Sequence, residues 1–183
     1  MLALALSIAG AGTAPAEGEG SVIAHMADGS SLPLRGWSLS YEYSAPRPGQ
    51  GPVAAPSRVE AAELWVGKRR LPVRGATLLL KHVPSPRERA EGDETVVVDV
   101  PVVSEIVLAP PGGKSQTLRA EPPHRDLLAP GADGSAVVSA RSLDLVGDTL
   151  TGTRRSLCLV TYSVLVECGE DPADRVVRLE FTP

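Results

Sequence analysis

Apolar residues recur at every second position along most of this chain, not with the roughly 3.6-residue period of a helix. In WSLSYEYS, residues 37–44, Trp37, Leu39, Tyr41 and Tyr43 alternate with Ser38, Ser40, Glu42 and Ser44, which predicts a strand with one buried and one wet face. TVVVDVPVV (95–103) and SEIVLA (104–109) are short and β-branched, and SAVVSARSLDLV (135–146), LCLVTYSVLVEC (157–168) and RVVRLEF (175–181) continue the pattern. Turn signals at Asp28-Gly29, Gly67-Lys68, Gly112-Gly113, Asp133-Gly134, Gly147-Asp148 and from Gly169 to Asp174 divide the chain into runs of strand length. The Pro-rich stretches 44–57 and 83–93 predict solvent loops. SRVEAAELW offers a helical alternative, because Ser57 and Glu60 have capping-box spacing. Together these patterns predict an all-β chain: one antiparallel β-sandwich or irregular barrel, built from hairpins with β-bulges.

A short phrase occurs twice, as LPLRGWSL (32–39) and LPVRGATL (71–78), each preceded by a tight-turn signal. The apolar parity switches inside each copy. Leu32 and Leu34 are followed by Trp37 and Leu39, and Leu71 and Val73 by Ala76, Leu78 and Leu80. In an unbroken strand these sets would face opposite ways. A bulge or kink at Arg35-Gly36 and at Arg74-Gly75 restores them to one face, and glycine tolerates the backbone that such an irregularity needs. Pro33 and Pro72 fit strand edges or interrupted ladders. A solenoid needs at least three copies. The place for a third, near residue 110, holds APPGGKSQTL instead. The second copy also aligns residues from Glu63 with a strand, which favours strand over helix there. Arg35 and Arg74 form a candidate guanidinium pair for an anion.

The 183 residues suit a single domain. An apolar run from Leu2 to about Gly10, ending in Ala14-Pro15-Ala16, has the length of a signal-peptide core and is short of a membrane span. The expected organisation is a signal peptide over 1–16, a flexible mature N-terminus over 17–20 and a β-rich domain over 21–183, with no membrane span in the mature chain. A net charge of −4 leaves no basic surplus for phosphate backbones, so no nucleic-acid partner is expected. Lysine occurs only as Lys68, Lys81 and Lys114, and asparagine is absent, a bias typical of GC-rich bacteria that also removes every N-glycosylation site.

Candidate chemistry is sparse. PPGGKS (110–115) imitates a phosphate-binding loop but has Leu108 where the motif needs glycine, so a Gly-Gly hairpin turn with an exposed Lys114 is expected. His25, His82 and His124 lack metal-ligand spacing, and neither a metal nor a cofactor is expected. His82 is expected to be partly buried by alignment with Tyr43. PPHRD gathers His124, Arg125 and Asp126 in a stiff polar stretch, the strongest loop candidate for a binding or catalytic rim. Cys158 and Cys168 would be some 30 Å apart on a continuous strand, and a hairpin between them could bridge them. The intervening residues include no Gly, Pro, Asn or Asp, which favours the continuous strand with both thiols buried. Trp65 is the one candidate aromatic platform left after the core claims the others.

The expectation is an exported, non-catalytic binding or structural module of a bacterial cell envelope, secreted or periplasmic, whose partner is an envelope or extracellular protein or ligand. Two alternatives stand beside it. One is a small secreted hydrolase using His124, Arg125 and Asp126. The other is a β-barrel carrier whose apolar cavity would be lined by Leu39, Leu78, Val160 and Val164.

Overall fold

The computed structural model describes residues 17–44, 56–66, 68–119, 128–130, 137–161 and 168–183. Among the described residues twelve strands run in order: β1 (Ser21–Met26), β2 (Ser31–Ser44), β3 (Pro56–Ala61), β4 (Glu63–Val66), β5 (Arg69–Pro72), β6 (Thr77–Glu91), β7 (Glu94–Ala109), β8 (Gln116–Arg119), β9 (Leu128–Pro130), β10 (Val137–Asp148), β11 (Arg154–Thr161) and β12 (Val176–Phe181). There is no helix among the described residues, and every strand pair is antiparallel. SRVEAAELW is strand, bend, strand. Ten strands form one sheet in the order β11-β10-β2-β1-β12-β6-β7-β8, with β3 added to β2 and β9 to β10; β4 and β5 form a separate hairpin. Among the described residues the large sheet does not close into a barrel, since β11 and β8 remain its end strands.

The parity switch in β2 is a bulge. Val146 pairs with Ser38 but Asp148 pairs with Arg35, so Gly36 and Trp37 stand opposite Gly147 alone. Gly36 has φ +49°, in the left-handed region, and Leu34 and Trp37 are both buried on the same side. Gly147 also belongs to this device. A Cβ there would come within 2.9 Å of Leu34 Cβ and 3.3 Å of the Arg35 carbonyl oxygen, so a side chain would push the strands apart. The turn expected at Gly147-Asp148 instead lies downstream, where the Gly152 N–H donates to the Thr149 carbonyl.

In the second copy of the phrase, Arg74-Gly75 forms a turn and not a bulge. The Ala76 N–H donates to the Val73 carbonyl at 2.9 Å, Gly75 has φ +68°, and the chain passes from the small hairpin to the large sheet. Leu71, Val73, Ala76, Leu78 and Leu80 are all buried, as the parity requires. One core results, in which Trp37 packs on Phe181 at 4.7 Å between ring centroids, with Tyr41, Leu78, Ile106, Leu143 and Leu159 in the same cluster. Residues 17–20, expected as a flexible lead-in, include Gly18. It is buried over the Trp37 indole and donates its N–H to the Trp37 carbonyl.

Four expectations need correction. Ser38 and Ser40, assigned to a wet face, are fully buried. β3 and β10 flank this part of β2 on both edges, and their longer polar side chains lie over the small serines; Ser38 donates to Glu60 at 2.7 Å. Residues 83–91, assigned to a loop, are the outer half of β6, paired with β7 as far as the Gly92-Asp93 turn. β12 pairs with β6 only over 77–79, so Pro84 and Pro86 lie where one edge has no strand neighbour among the described residues, and a missing N–H costs little there. The two runs 95–103 and 104–109 are likewise one strand, β7, with a bulge at Ser104. Finally, Cys158 and Cys168 are joined by a disulfide, their Cα atoms 5.3 Å apart, where the continuous strand expected would hold them some 30 Å apart.

Candidate functional site: a basic cleft between two hairpins

The short hairpin β4–β5 owes its two faces to strict alternation. Glu63 pairs with Pro72, Leu64 with Leu71, Trp65 with Arg70 and Val66 with Arg69. One face therefore carries Trp65 and Arg70, whose guanidinium lies 5.8 Å from the indole centroid, with Glu63 3.9 Å from Arg70 Nε. Trp65, the candidate aromatic platform, is thus faced by the Arg70 guanidinium of its own hairpin. The opposite face carries Leu64, Val66, Arg69 and Leu71, and Leu64 and Leu71 anchor it in the core.

That second face opens onto β8. A cleft of about 530 Å³ lies between them, lined by Val66, Lys68, Arg69, Leu71, Gln116, Thr117 and Leu118. The volume falls within the 300–1,000 Å³ range of small-ligand sites. Its floor is apolar, from the buried Leu71 and Leu118, while Lys68 and Arg69 are exposed at its rim. No carboxylate lines it among the described residues. Some cations elsewhere have acidic partners: Arg58 with Asp144, Arg74 with Glu19, Lys81 with Glu105, Arg89 with Glu170 and Arg178 with Glu180. Lys68 and Arg69 have none among the described residues. Thr117 and Gln116 add a hydroxyl and an amide beside the two charges, a donor set suited to an oxyanion.

The residues picked out from sequence fare differently. His124, Arg125 and Asp126 lie outside the described residues. Arg35 and Arg74 stand at the same end of the sheet but are separated by β1 and β12, about 14 Å at three inter-strand spacings. Arg74 is engaged by Glu19 at 2.9 Å. PPGGKS is the β7–β8 turn, with Gly112 at φ +67° and Lys114 exposed. His25 faces outward, its Nδ1 2.9 Å from Ser31 Oγ and its Nε2 3.4 Å from Glu180. His82 is half-buried, and burial followed by the nearby Arg175 charge holds its pKa below the ordinary 6.5. No group of three or more His, Cys, Asp or Glu side chains among the described residues could hold a metal ion. Leu39, Leu78 and Val160, assigned to a carrier cavity, are packed in the core cluster; Val164 lies outside the described residues.

A second polar site lies on the outer face of β2, β3 and β10. Arg58 is ion-paired with Asp144, and Arg154 bonds the Gly36 carbonyl at 3.1 Å and lies 3.5 Å from Asp148. Burial pushes the Asp144 carboxyl above its ordinary pKa, although the Arg58 charge opposes this. Its groups are mutually satisfied apart from the buried Ser40 hydroxyl, so it reads as a polar brace over the bulge.

The basic cleft was missed by sequence reasoning. Lys68-Arg69-Arg70 is visible as a run, but only the fold separates Arg70, spent on Trp65, from Arg69, and only the fold sets β8 opposite. Comparison with protein-family models, curated proteins and solved structures finds no match for this chain.

Proposed function

We propose that the chain is an exported, non-catalytic binding module of a bacterial cell envelope, folded as an open antiparallel sandwich. The observation that carries the proposal is the Cys158–Cys168 disulfide, because such bonds form and persist in oxidising compartments and are rare in the bacterial cytosol. The signal-like segment over 1–16 supports the same compartment. The binding role rests on the cleft, which offers positive charge and hydrogen-bond donors over an apolar floor.

Fusing residues 1–16 to a reporter enzyme that is active only after export tests the proposal. Reporter activity with cleavage after Ala16 is expected. An inactive, uncleaved cytoplasmic fusion would overturn export.

A further inference from the structure

We propose that the cleft between the β4–β5 hairpin and β8 binds a small amphiphilic oxyanion: a carboxylate or phosphate group carried on a short apolar chain. This rests on the reading of the protein as a binding module and names its ligand class.

Pairing register sets the chemistry of both walls. Val66 pairs with Arg69 and Leu64 with Leu71, so on this face the cation stands one strand step above a buried leucine. Across the cleft, Gln116 and Leu118 repeat the arrangement on β8, since residues two apart on a strand share a face. A polar end over an apolar floor therefore occurs on both walls. Its complement is a molecule with one polar end and one apolar end.

Charge selects the sign of the polar end. Lys68 and Arg69 bring two positive charges, and among the described residues no acidic side chain lines the cleft, unlike the matched pairs that neutralise Arg58, Lys81 and Arg178. A guanidinium presents a planar fork that matches the two oxygens of a carboxylate or phosphate, and the lysine adds a mobile point charge. Size limits the ligand. About 530 Å³ accommodates a head group with a short chain and excludes a folded domain.

The test titrates sodium octanoate and monooctyl phosphate, each below its micelle-forming concentration, into the oxidised chain while amide NMR shifts are followed. Inorganic phosphate and octyl glucoside serve as the head-only and tail-only arms. Saturable shifts at Val66, Arg69, Leu71 and Gln116 to Leu118 are expected with at least one octyl anion. Whichever octyl anion binds more tightly identifies the head group. Inorganic phosphate should bind more weakly, and octyl glucoside should leave these amides unmoved.

Lys68→Glu with Arg69→Glu should weaken binding by about fivefold or more, as expected for losing partly exposed ionic contacts. Arg70→Glu, on the opposite face, should leave binding unchanged. If the double reversal fails to fold, Lys68→Gln with Arg69→Gln replaces it, with the same direction expected. Octyl glucoside shifting the same amides as the anions would overturn the proposal. So would shifts confined to other regions, or affinity unaffected by loss of both charges. Such a failure leaves export standing, because the reporter fusion reads export separately.

Discussion

Replacing both cysteines, Cys158→Ser with Cys168→Ser, removes a crosslink that closes a loop with a sequence separation of 10. In the chain-entropy description the crosslink costs the unfolded state about 2.1 + 1.5R ln 10, or roughly 9 cal/mol/K, which is about 2.7 kcal/mol at 25 °C. A chain of this size shifts its melting temperature by about 2–4 °C per kcal/mol, so the double variant should melt about 5–11 °C below the oxidised protein. The assay is thermal unfolding by circular dichroism, with the wild-type chain melted in parallel with and without reductant. Reduced wild type and the serine variant should melt together, since both lack the same crosslink. A difference below about 1 °C between oxidised and reduced wild type would refute the reasoning, because a constraint of this length cannot be thermodynamically silent on the entropic account. Free thiols in the unfolded, unreduced protein would refute it earlier.

Tyr41→Phe should destabilise the protein by about 1–3 kcal/mol in chemical denaturation, because the fully buried hydroxyl donates to the Glu63 carbonyl and accepts from the Trp65 N–H, both at 2.9 Å. The same hydroxyl holds β4 against β2, so the variant should also perturb the amides of the basic cleft. Gly36→Ala forces an alanine to φ +49° and should lower stability by about 1 kcal/mol with an unchanged denaturant m-value. An unaltered midpoint would remove the case for a strained bulge. For His82 the folded pKa lies below 6.5 because burial disfavours the charged ring. Between those values the unfolded chain binds more protons than the folded one, so its contribution is full above pH 6.5 and falls as pH drops toward the folded value. His82→Gln should flatten the stability profile in that window; an identical slope in the variant would show that other groups set it.

The bend in β2 is legible in the sequence because parity is a one-dimensional signal. Leu34 and Trp37 cannot share a face without an extra residue between them, and Gly36 supplies the backbone for it. The all-β class is legible for the same reason, from alternation in residues 37–43 and from β-branched runs. The outer half of β6 is not, because Pro84 and Pro86 look like loop residues until β12 is seen to stop pairing at Leu79 and leave that edge without a strand neighbour among the described residues. The burial of Ser38 and Ser40 depends on β3 and β10 flanking β2, which no local pattern encodes. The disulfide is hidden because residues 159–167 contain no Gly, Pro, Asn or Asp, so only the folded chain shows that Cys158 and Cys168 come together. The cleft shares that difficulty. Its two walls are separated by more than forty positions in sequence, Arg69 against Gln116, and the charges on Lys68 and Arg69 gain meaning only when β8 is found opposite.

The most direct measurement is the intact mass of the native protein recovered from its own cells, alkylated before any reductant is added. A chain beginning at Glu17 that carries no alkyl groups is expected, because its two cysteines are already joined. A chain that retains Met1 and takes up two alkyl groups would contradict both the export and the disulfide on which it rests.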